Sequence, residues 1–298
     1  MGKGLLITNK KAGNADSIAV VRQRLNQFVE LSECELCAET DLAAEVDAAV
    51  RKGCGIVIAA GGDGTVNAVV NALMSIPAAN RPELAILPFG TANDFAGSLA
   101  IPIEPELAVA LLFEQRKTNM DVIRAAASNY QRYYANVAAG GNSVRVSEQM
   151  TDEIKQAWGS FSYIRGAVDV LTDMQTYQIS LQADDESFQL TAWAILIANG
   201  RTNAGGIPVA PVASPSDGWL DLIIIRDGTV MDMAEIISKT LLTSFLESEQ
   251  VIFRQAKHVA LTSEPAMRFA LDGEAIKEQP VDFDLVPGAI TVYVGPSV

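Results

Sequence analysis

Histidine is almost missing from this chain of 298 residues: His258 is the only one. Chemistry built on a histidine base or a histidine-rich metal site has little to work with. Cysteine is scarce too, with Cys34, Cys37 and Cys54 the full set of three. Cys34 and Cys37 form a C-x-x-C with no Gly or Pro between them, in a segment that reads as a strand. There they would point to opposite faces, so packing is expected of them rather than redox chemistry or zinc. No apolar run reaches the length of a membrane span. The run at residues 4–7 is also too short for the core of a signal peptide, so the expected location is the cytoplasm. No run of Lys and Arg stands out, and 22 basic residues against 36 acidic ones leave a net charge of −14. Such a surface repels nucleic acid and anionic lipid at long range, so no nucleic-acid partner is expected.

What is present is apolar: 49% of residues are hydrophobic and 19% charged. That composition supplies a full core and excludes a disordered chain. The length suggests two domains. Residues 4–8 form a short apolar run followed by the turn Asn9-Lys10-Lys11-Ala12-Gly13. Residues 18–29 carry apolar side chains at helical spacing, residues 35–38 read as a strand, and residues 42–50 repeat the helical pattern with Asp41 as N-cap. Residues 55–60 (GIVIAA) are continuously apolar, as in a strand buried on both faces. A helix over 66–74 and a strand over 84–87 follow. The order βαβαβαβ predicts a parallel sheet covered by helices on both faces. Beyond Asp121 the pattern changes to short apolar or alternating runs at 179–181, 189–199, 220–225, 259–262, 267–271 and 289–294. These predict an antiparallel sandwich or barrel, interrupted by helices near 150–174 and 230–245.

The strongest local signal is Gly61-Gly62-Asp63-Gly64-Thr65, after a buried strand and at the opening of a helix. Glycines permit a tight turn and close backbone approach, and free N–H groups at a helix start favour an anion such as phosphate. Thr65 adds a hydroxyl. Asp63 adds a carboxylate able to hold a divalent cation or take a proton. An ordinary strand-to-helix turn is the plainer alternative, but the position at the carboxyl end of a central strand is where α/β sheets bind ligands. A second signal, Pro88-Phe89-Gly90-Thr91-Ala92-Asn93-Asp94-Phe95, follows the next strand and emerges at the same sheet edge. Thr91 and Asn93 can donate hydrogen bonds there, and Asp94 can hold a metal or water. Helix capping by Asn93 or Asp94 is compatible with those roles. Lys10, Lys11 and Gly13 suit a phosphate only weakly by themselves.

The succession of Gly-Gly-Asp-Gly-Thr and Gly-Thr-Ala-Asn-Asp-Phe resembles the diacylglycerol kinase catalytic domain family, which includes bacterial lipid kinases and sphingosine kinases. The resemblance continues through Asn199-Gly200, Ala204-Gly205-Gly206, Ala210-Pro211, Asp217-Gly218-Trp219-Leu220-Asp221 and Leu271-Asp272-Gly273-Glu274, so it spans nearly the whole chain. Residues 140–163 look closest to the soluble bacterial lipid kinases. The fold class implied is α/β plus all-β. Residues 1–124 would form a nucleotide-binding domain with a parallel sheet and residues 125–298 a β-sandwich. The last strand is free to return to the first domain, and the active site would lie in the cleft between the two.

The resemblance also implies roles. Asn9, Gly13, Thr40, Gly61, Gly62, Asp63, Gly64, Thr65, Val66, Asn67 and Thr91 would contact ATP. Asp272 or Glu274 would take the proton of the lipid hydroxyl. Asp63, Asp94 and Asp121 would surround a catalytic Mg²⁺, and a separate metal site would use Asp217 with the carbonyls of Ser214 and Trp219. The lipid would come from a membrane or micelle through peripheral contact at the inner membrane face. The stretch with Lys155, Trp158, Phe161, Tyr163, Ile164 and Arg165 is the candidate for that contact, and a homodimer is compatible with the pattern. Two departures stand out: Lys10 where the family usually has Pro, and Gly140-Gly141-Asn142-Ser143 where a Gly-Phe-Asp type segment is common. Because Gly-Gly-Asp-Gly also occurs in NAD kinases and phosphofructokinases, a kinase for a soluble acceptor is the first alternative. A nucleotide- or lipid-binding module without catalysis is the second.

Overall fold

A computed structural model of the protein describes residues 2–9, 15–144, 174–241, 245–276 and 282–296. Lys10, Lys11 and Gly13, and the stretch from Lys155 to Arg165 expected to meet the membrane, lie outside the described residues. The chain divides into two units. One comprises Met1–Val122 with Val286–Val298, and the other Ile123–Leu285.

The first unit begins with strand β1 (Gly2–Asn9), helix α1 (Ala15–Leu25), strand β2 (Val29–Leu36) and helix α2 (Leu42–Arg51). Strand β3 (Cys54–Gly61), helix α3 (Asp63–Met74) and strand β4 (Glu83–Pro88) follow. The unit's sheet runs β2-β1-β3-β4 and then the chain's last strand, with every one of these pairings parallel. Ile56–Ala60 of β3 are all buried, as the continuous apolar run predicts for a central strand. Since β1 is flanked by β2 on one side and β3 on the other, strand order reverses beside β1, and the loops after β1, β3 and β4 share one sheet edge. Ligands bind at such an edge in open α/β sheets.

Three boundaries differ from the sequence expectation. The first helix stops at Leu25, and β2 occupies Val29–Leu36, not residues 35–38. An eight-residue parallel ladder, Gly2↔Val29 through Asn9↔Leu36, prevails over the helical spacing that continues to Phe28. Helix α3 starts at Asp63, not residue 66, because Thr65 and Val66 already donate their N–H groups to the Gly62 carbonyl. Helices α4 (Asp94–Ser98) and α5 (Pro105–Glu114) were not anticipated. The apolar run Leu107–Phe113 has no clear period, which leaves strand and helix indistinguishable by pattern.

Strand β5 (Lys117–Ala127) carries the chain into the second unit, which is built from antiparallel pairs. Its strands are β6 (Tyr130–Tyr134), β7 (Val137–Gly141), β8 (Tyr177–Ala183), β9 (Glu186–Ala198), the short pair β10 (Thr202–Asn203) and β11 (Ile207–Pro208), and β12 (Leu220–Arg226). After helix α6 (Val230–Leu241) come β13 (Val251–Ala256), β14 (His258–Glu264), β15 (Phe269–Leu271) and β16 (Glu274–Ala275). The last strand, β17 (Asp282–Tyr293), begins in this unit and ends in the first. Long β9 separates two cores: Ile195 and Ile197 join one, and Leu196 and Ala198 the other, as alternation along a strand requires.

Strand β7 was invisible in the sequence because Val-Ala-Ala-Gly-Gly is a poor strand former. Tertiary packing explains its glycines. A Cβ on Gly140 would stand 2.6 Å from the Phe269 ring, and Gly141 adopts φ +79° with the Trp193 carbonyl 2.6 Å from where its Cβ would be. Asn142 then donates to the carbonyls of Gln175 and Trp193 at 2.8 and 2.9 Å, and accepts from the Gln175 N–H at 3.0 Å. The Gly140–Ser143 departure from the family pattern is therefore built into the packing of this chain.

Candidate active site

The loops after β3 and β4 form one compact structure. Gly61 accepts the Phe89 N–H at 3.0 Å. A Cβ on Gly62 would lie 3.0 Å from Gly90 Cα, and one on Gly90 only 2.3 Å from Gly62 Cα, so the two turns touch backbone to backbone. Gly61 is likewise filled by the Thr65 side chain, 2.3 Å from where its Cβ would stand. Packing therefore accounts for Gly61, Gly62 and Gly90. It does not account for Gly64, which is exposed and has nothing within 4 Å of an added Cβ. With Thr65 and Val66 already donating to the Gly62 carbonyl, the open space over the first turn of this 12-residue helix, whose N-cap Gly62 offers no side chain, leaves the Gly64 N–H as the donor available to an anion.

Asp63 links the same two loops. Its carboxylate oxygens accept the N–H groups of Asp94 at 3.2 Å and Phe95 at 3.0 Å, so it caps α4 from 31 residues away in sequence. Burial pushes the Asp63 carboxyl above its ordinary value. The Phe95 N–H opposes that shift and the neighbouring Asp94 charge adds to it. Asn93, in the left-handed region at φ 54°, is the N-cap residue but makes no cap bond with its side chain. Its amide closes its own turn, accepting from the Gly90 N–H and donating to the Gly90 carbonyl. Asn93 is therefore engaged within the loop, and the capping expected of Asn93 or Asp94 comes from Asp63.

The other expected nucleotide contacts divide between surface and interior. Asn9 ends β1, and Thr91 is exposed in the loop after β4. Thr40 donates its hydroxyl to the Glu35 carbonyl and accepts the Cys37 N–H, which shapes the turn after β2. Val66 and Asn67 are buried in α3, with Asn67 Oδ1 accepting from Asn71. Asp94 is buried beside Asp63, whereas the buried Asp121 accepts the Gly288 N–H at 2.7 Å. Among the described residues, no three His, Cys, Asp or Glu side chains gather closely enough to hold a metal ion by themselves.

In the second unit, Asp272 and Gly273 form the two-residue connection between β15 and β16, with φ +47° and +84°. Positive φ at both positions matches the tight hairpin turn for which Asp-Gly is suited. The Asp272 carboxylate accepts three backbone N–H groups, from Ala135 at 3.1 Å, Asn136 at 3.1 Å and Val137 at 2.9 Å. Both of its oxygens are thereby engaged. Glu274 is exposed and pairs with Arg132 of β6. Buried polar groups surround the base of this hairpin: Asn136 donates to the Thr202 carbonyl and Asn199 to the Ala135 carbonyl. Arg132 and Asn136 carry no signal in the sequence, since nothing in Tyr-Gln-Arg-Tyr-Tyr-Ala-Asn predicts a partner more than 130 residues away.

The loop expected to hold a second metal contains Ser214, the exposed Asp217 and the partly exposed Trp219. Asp217 accepts the Trp219 N–H at 3.0 Å across Gly218, and Lys257 lies over the Trp219 ring. Asp221 lies beneath in β12. Burial, with the Asp217 charge adding and the Gln255 hydrogen bond opposing, pushes its carboxyl up to about 6.

Residues 3–125 match the family model of the diacylglycerol kinase catalytic domain. Residues 135–294 match that of the YegS C-terminal NAD kinase beta sandwich-like domain. This chain belongs to the diacylglycerol kinase family of lipid kinases. It is 31% identical over 296 residues to a protein of Serratia proteamaculans named "Probable lipid kinase YegS-like", a match covering 98% of this chain and 94% of the relative. It is also 31% identical to a "Diacylglycerol kinase" of Staphylococcus haemolyticus, with 82% of this chain and 72% of the relative covered. The crystal structure of a diacylglycerol kinase from Bacillus anthracis superimposes with a TM-score of 0.81 at 25% identity, over 99% of this chain and 98% of that one. These likenesses bear out the α/β plus β-sandwich fold class and the kinase assignment. No helix among the described residues is long and apolar enough to cross a membrane.

Proposed function

We propose that this kinase transfers the terminal phosphate of ATP, with Mg²⁺, to a hydroxyl of a membrane lipid such as diacylglycerol. The observation that carries this is Gly64: in a turn whose other glycines are explained by packing, its empty surroundings at the start of α3 suit a nucleotide phosphate. Phosphoryl transfer depends on alignment and charge neutralisation more than on covalent help from the protein, and this turn would contribute through the Gly64 N–H and the positive end of the α3 dipole.

Mg²⁺ bound with the nucleotide would offset charge on the transferred phosphate, and one or two carboxylates are enough to hold it alongside phosphate oxygens. Asp94 with Asp63 fits that need. Asp217 with the Ser214 and Trp219 carbonyls would hold a second ion. Between the two candidate bases, the structure favours Glu274. The Asp272 oxygens already accept three N–H groups, while Glu274 keeps one oxygen without a partner among the described residues. The acceptor would be drawn from a bilayer or micelle by peripheral contact, with the protein otherwise in the cytoplasm.

The test is ATP consumption against a panel of lipid alcohols, with mass detection of the product and NAD as a soluble comparison. Phosphorylation of a lipid hydroxyl is expected. Turnover with NAD alone, or none beyond background, would overturn the proposal.

A further inference from the structure

Glu274 begins a two-residue edge strand, is exposed, and has three side-chain torsions to restrain. A base must hold its oxygen within hydrogen-bond reach of the proton it takes. What restrains Glu274 is Arg132. The Arg132 Nη2 group donates to Glu274 Oε2 at 2.5 Å, joining side chains 142 residues apart. Among the described residues β6 pairs with β5 and β16 with β15, and the β15–β7 ladder reaches the chain only after β6, so no backbone pairing fixes β16 against β6 itself. The Asp-Gly-Glu hairpin is tied to the stretch at 132–137 by the Asp272 N–H, which donates to the Val137 carbonyl at 3.0 Å at the end of the β15–β7 ladder, and by two carboxylates. Asp272 binds the backbone of residues 135–137 through both of its oxygens, and Glu274 binds Arg132 through one. The second Glu274 oxygen, Oε1, accepts from no described residue. Arg132 itself holds a buried Nε without a partner among the described residues, an unfavourable arrangement of the kind that persists where a side chain is positioned for a task.

We propose that Arg132 is a positioning residue for the phosphoryl transfer: it holds one oxygen of Glu274 so that the other faces the acceptor hydroxyl. This rests on Glu274 being the base. As the acceptor oxygen bonds to the transferred phosphorus and the phosphorus–oxygen bond to ADP breaks, the hydroxyl proton passes to Oε1. Arg132 touches neither the lipid nor the phosphate.

The experiment is a double-mutant cycle on the full chain, with Arg132→Gln, Glu274→Gln and both together, and Arg132→Lys as the conservative variant. Loss of orientation alone is expected to lower kcat about tenfold to a hundredfold in Arg132→Gln, with KM for ATP and Tm unchanged. Arg132→Lys should recover most of that loss, because an ammonium still anchors one carboxylate oxygen. In the Glu274→Gln background, Arg132→Gln should cost nothing further. If Glu274→Gln keeps normal turnover, the base assignment fails and the role of Arg132 falls with it. If Glu274→Gln is slow but Arg132→Gln keeps or exceeds the wild-type kcat, the positioning role alone is overturned. Fully additive losses would likewise overturn it, placing the action of Arg132 elsewhere.

Discussion

The two units build their candidate sites by different means. In the first, the candidate site is a matter of backbone: two glycine turns touch, and side chains such as Asp63 and Asn93 are engaged in holding the loops together. In the second, the candidate site is made of side chains brought together across the chain, Asp272 with residues 135–137 and Glu274 with Arg132. A backbone site is legible as a motif, because its residues are adjacent in sequence. A side-chain site is legible only in part, because each member needs a partner that folding supplies. The Asp-Gly-Glu tripeptide shows both levels: its turn chemistry is local, and its division of labour is not.

The largest expected effect tests that division. Glu274→Gln should lower turnover by about a hundredfold to ten-thousandfold while ATP affinity stays intact. Asp272→Asn should lose stability by about 1–3 kcal/mol, because an amide nitrogen would replace one acceptor facing the N–H groups of residues 135–137. Denaturant unfolding and steady-state kinetics on both variants separate the roles. A stable, inactive Asp272→Asn beside an active Glu274→Gln would reverse them.

The glycine turns come next. Gly62→Ala, and Gly62→Val more so, should lower Tm, because the added Cβ meets Gly90 Cα at 3.0 Å. Gly64→Ala has room and should leave Tm unchanged, while weakening ATP binding by about tenfold in calorimetry through lost close approach to phosphate. Wild-type affinity in Gly64→Ala would remove the phosphate assignment from this turn.

Side-chain construction should also make the second unit more sensitive to pH. His258 and Arg124 both bond to Asp284. Burial pushes the Asp284 carboxyl up, but those two hydrogen bonds outweigh it and hold the group below its ordinary value of 3.8. The unfolded chain thus binds the proton more readily, so the stabilisation is present above pH 3.8 and is lost as pH falls through the lower folded value. Asp284→Asn should cost on the order of 1 kcal/mol at pH 7, with a gap to wild type that closes in acid. A gap independent of pH would show that packing, not charge, is what the carboxylate supplies. The smallest effect is expected from Asp217→Ala, an exposed residue. Its Tm without magnesium should match wild type, and any stabilisation by added Mg²⁺ should shrink. An unchanged Mg²⁺ response in thermal melts would remove Asp217 as a ligand.

The sequence by itself determined the two-part architecture and the glycine turns of the candidate site. Buried parallel strands announce themselves as continuous apolar runs such as residues 55–60, and glycine turns carry their geometry in residues that lie side by side. Short apolar or alternating runs likewise marked β8, β9 and β12 before their partners were known. Only the tertiary structure decided what depends on distant neighbours. It made β7 a strand by seating Gly140 under the Phe269 ring, and it turned Asp63 into the cap of α4. It gave Asp121 to the Gly288 N–H, and it separated Asp272 from Glu274 by giving one three backbone donors and the other an arginine. The physical reason is common to all of these. A carboxylate's task is set by which donors surround it and how much water it keeps, and those are properties of the folded environment rather than of neighbours along the chain.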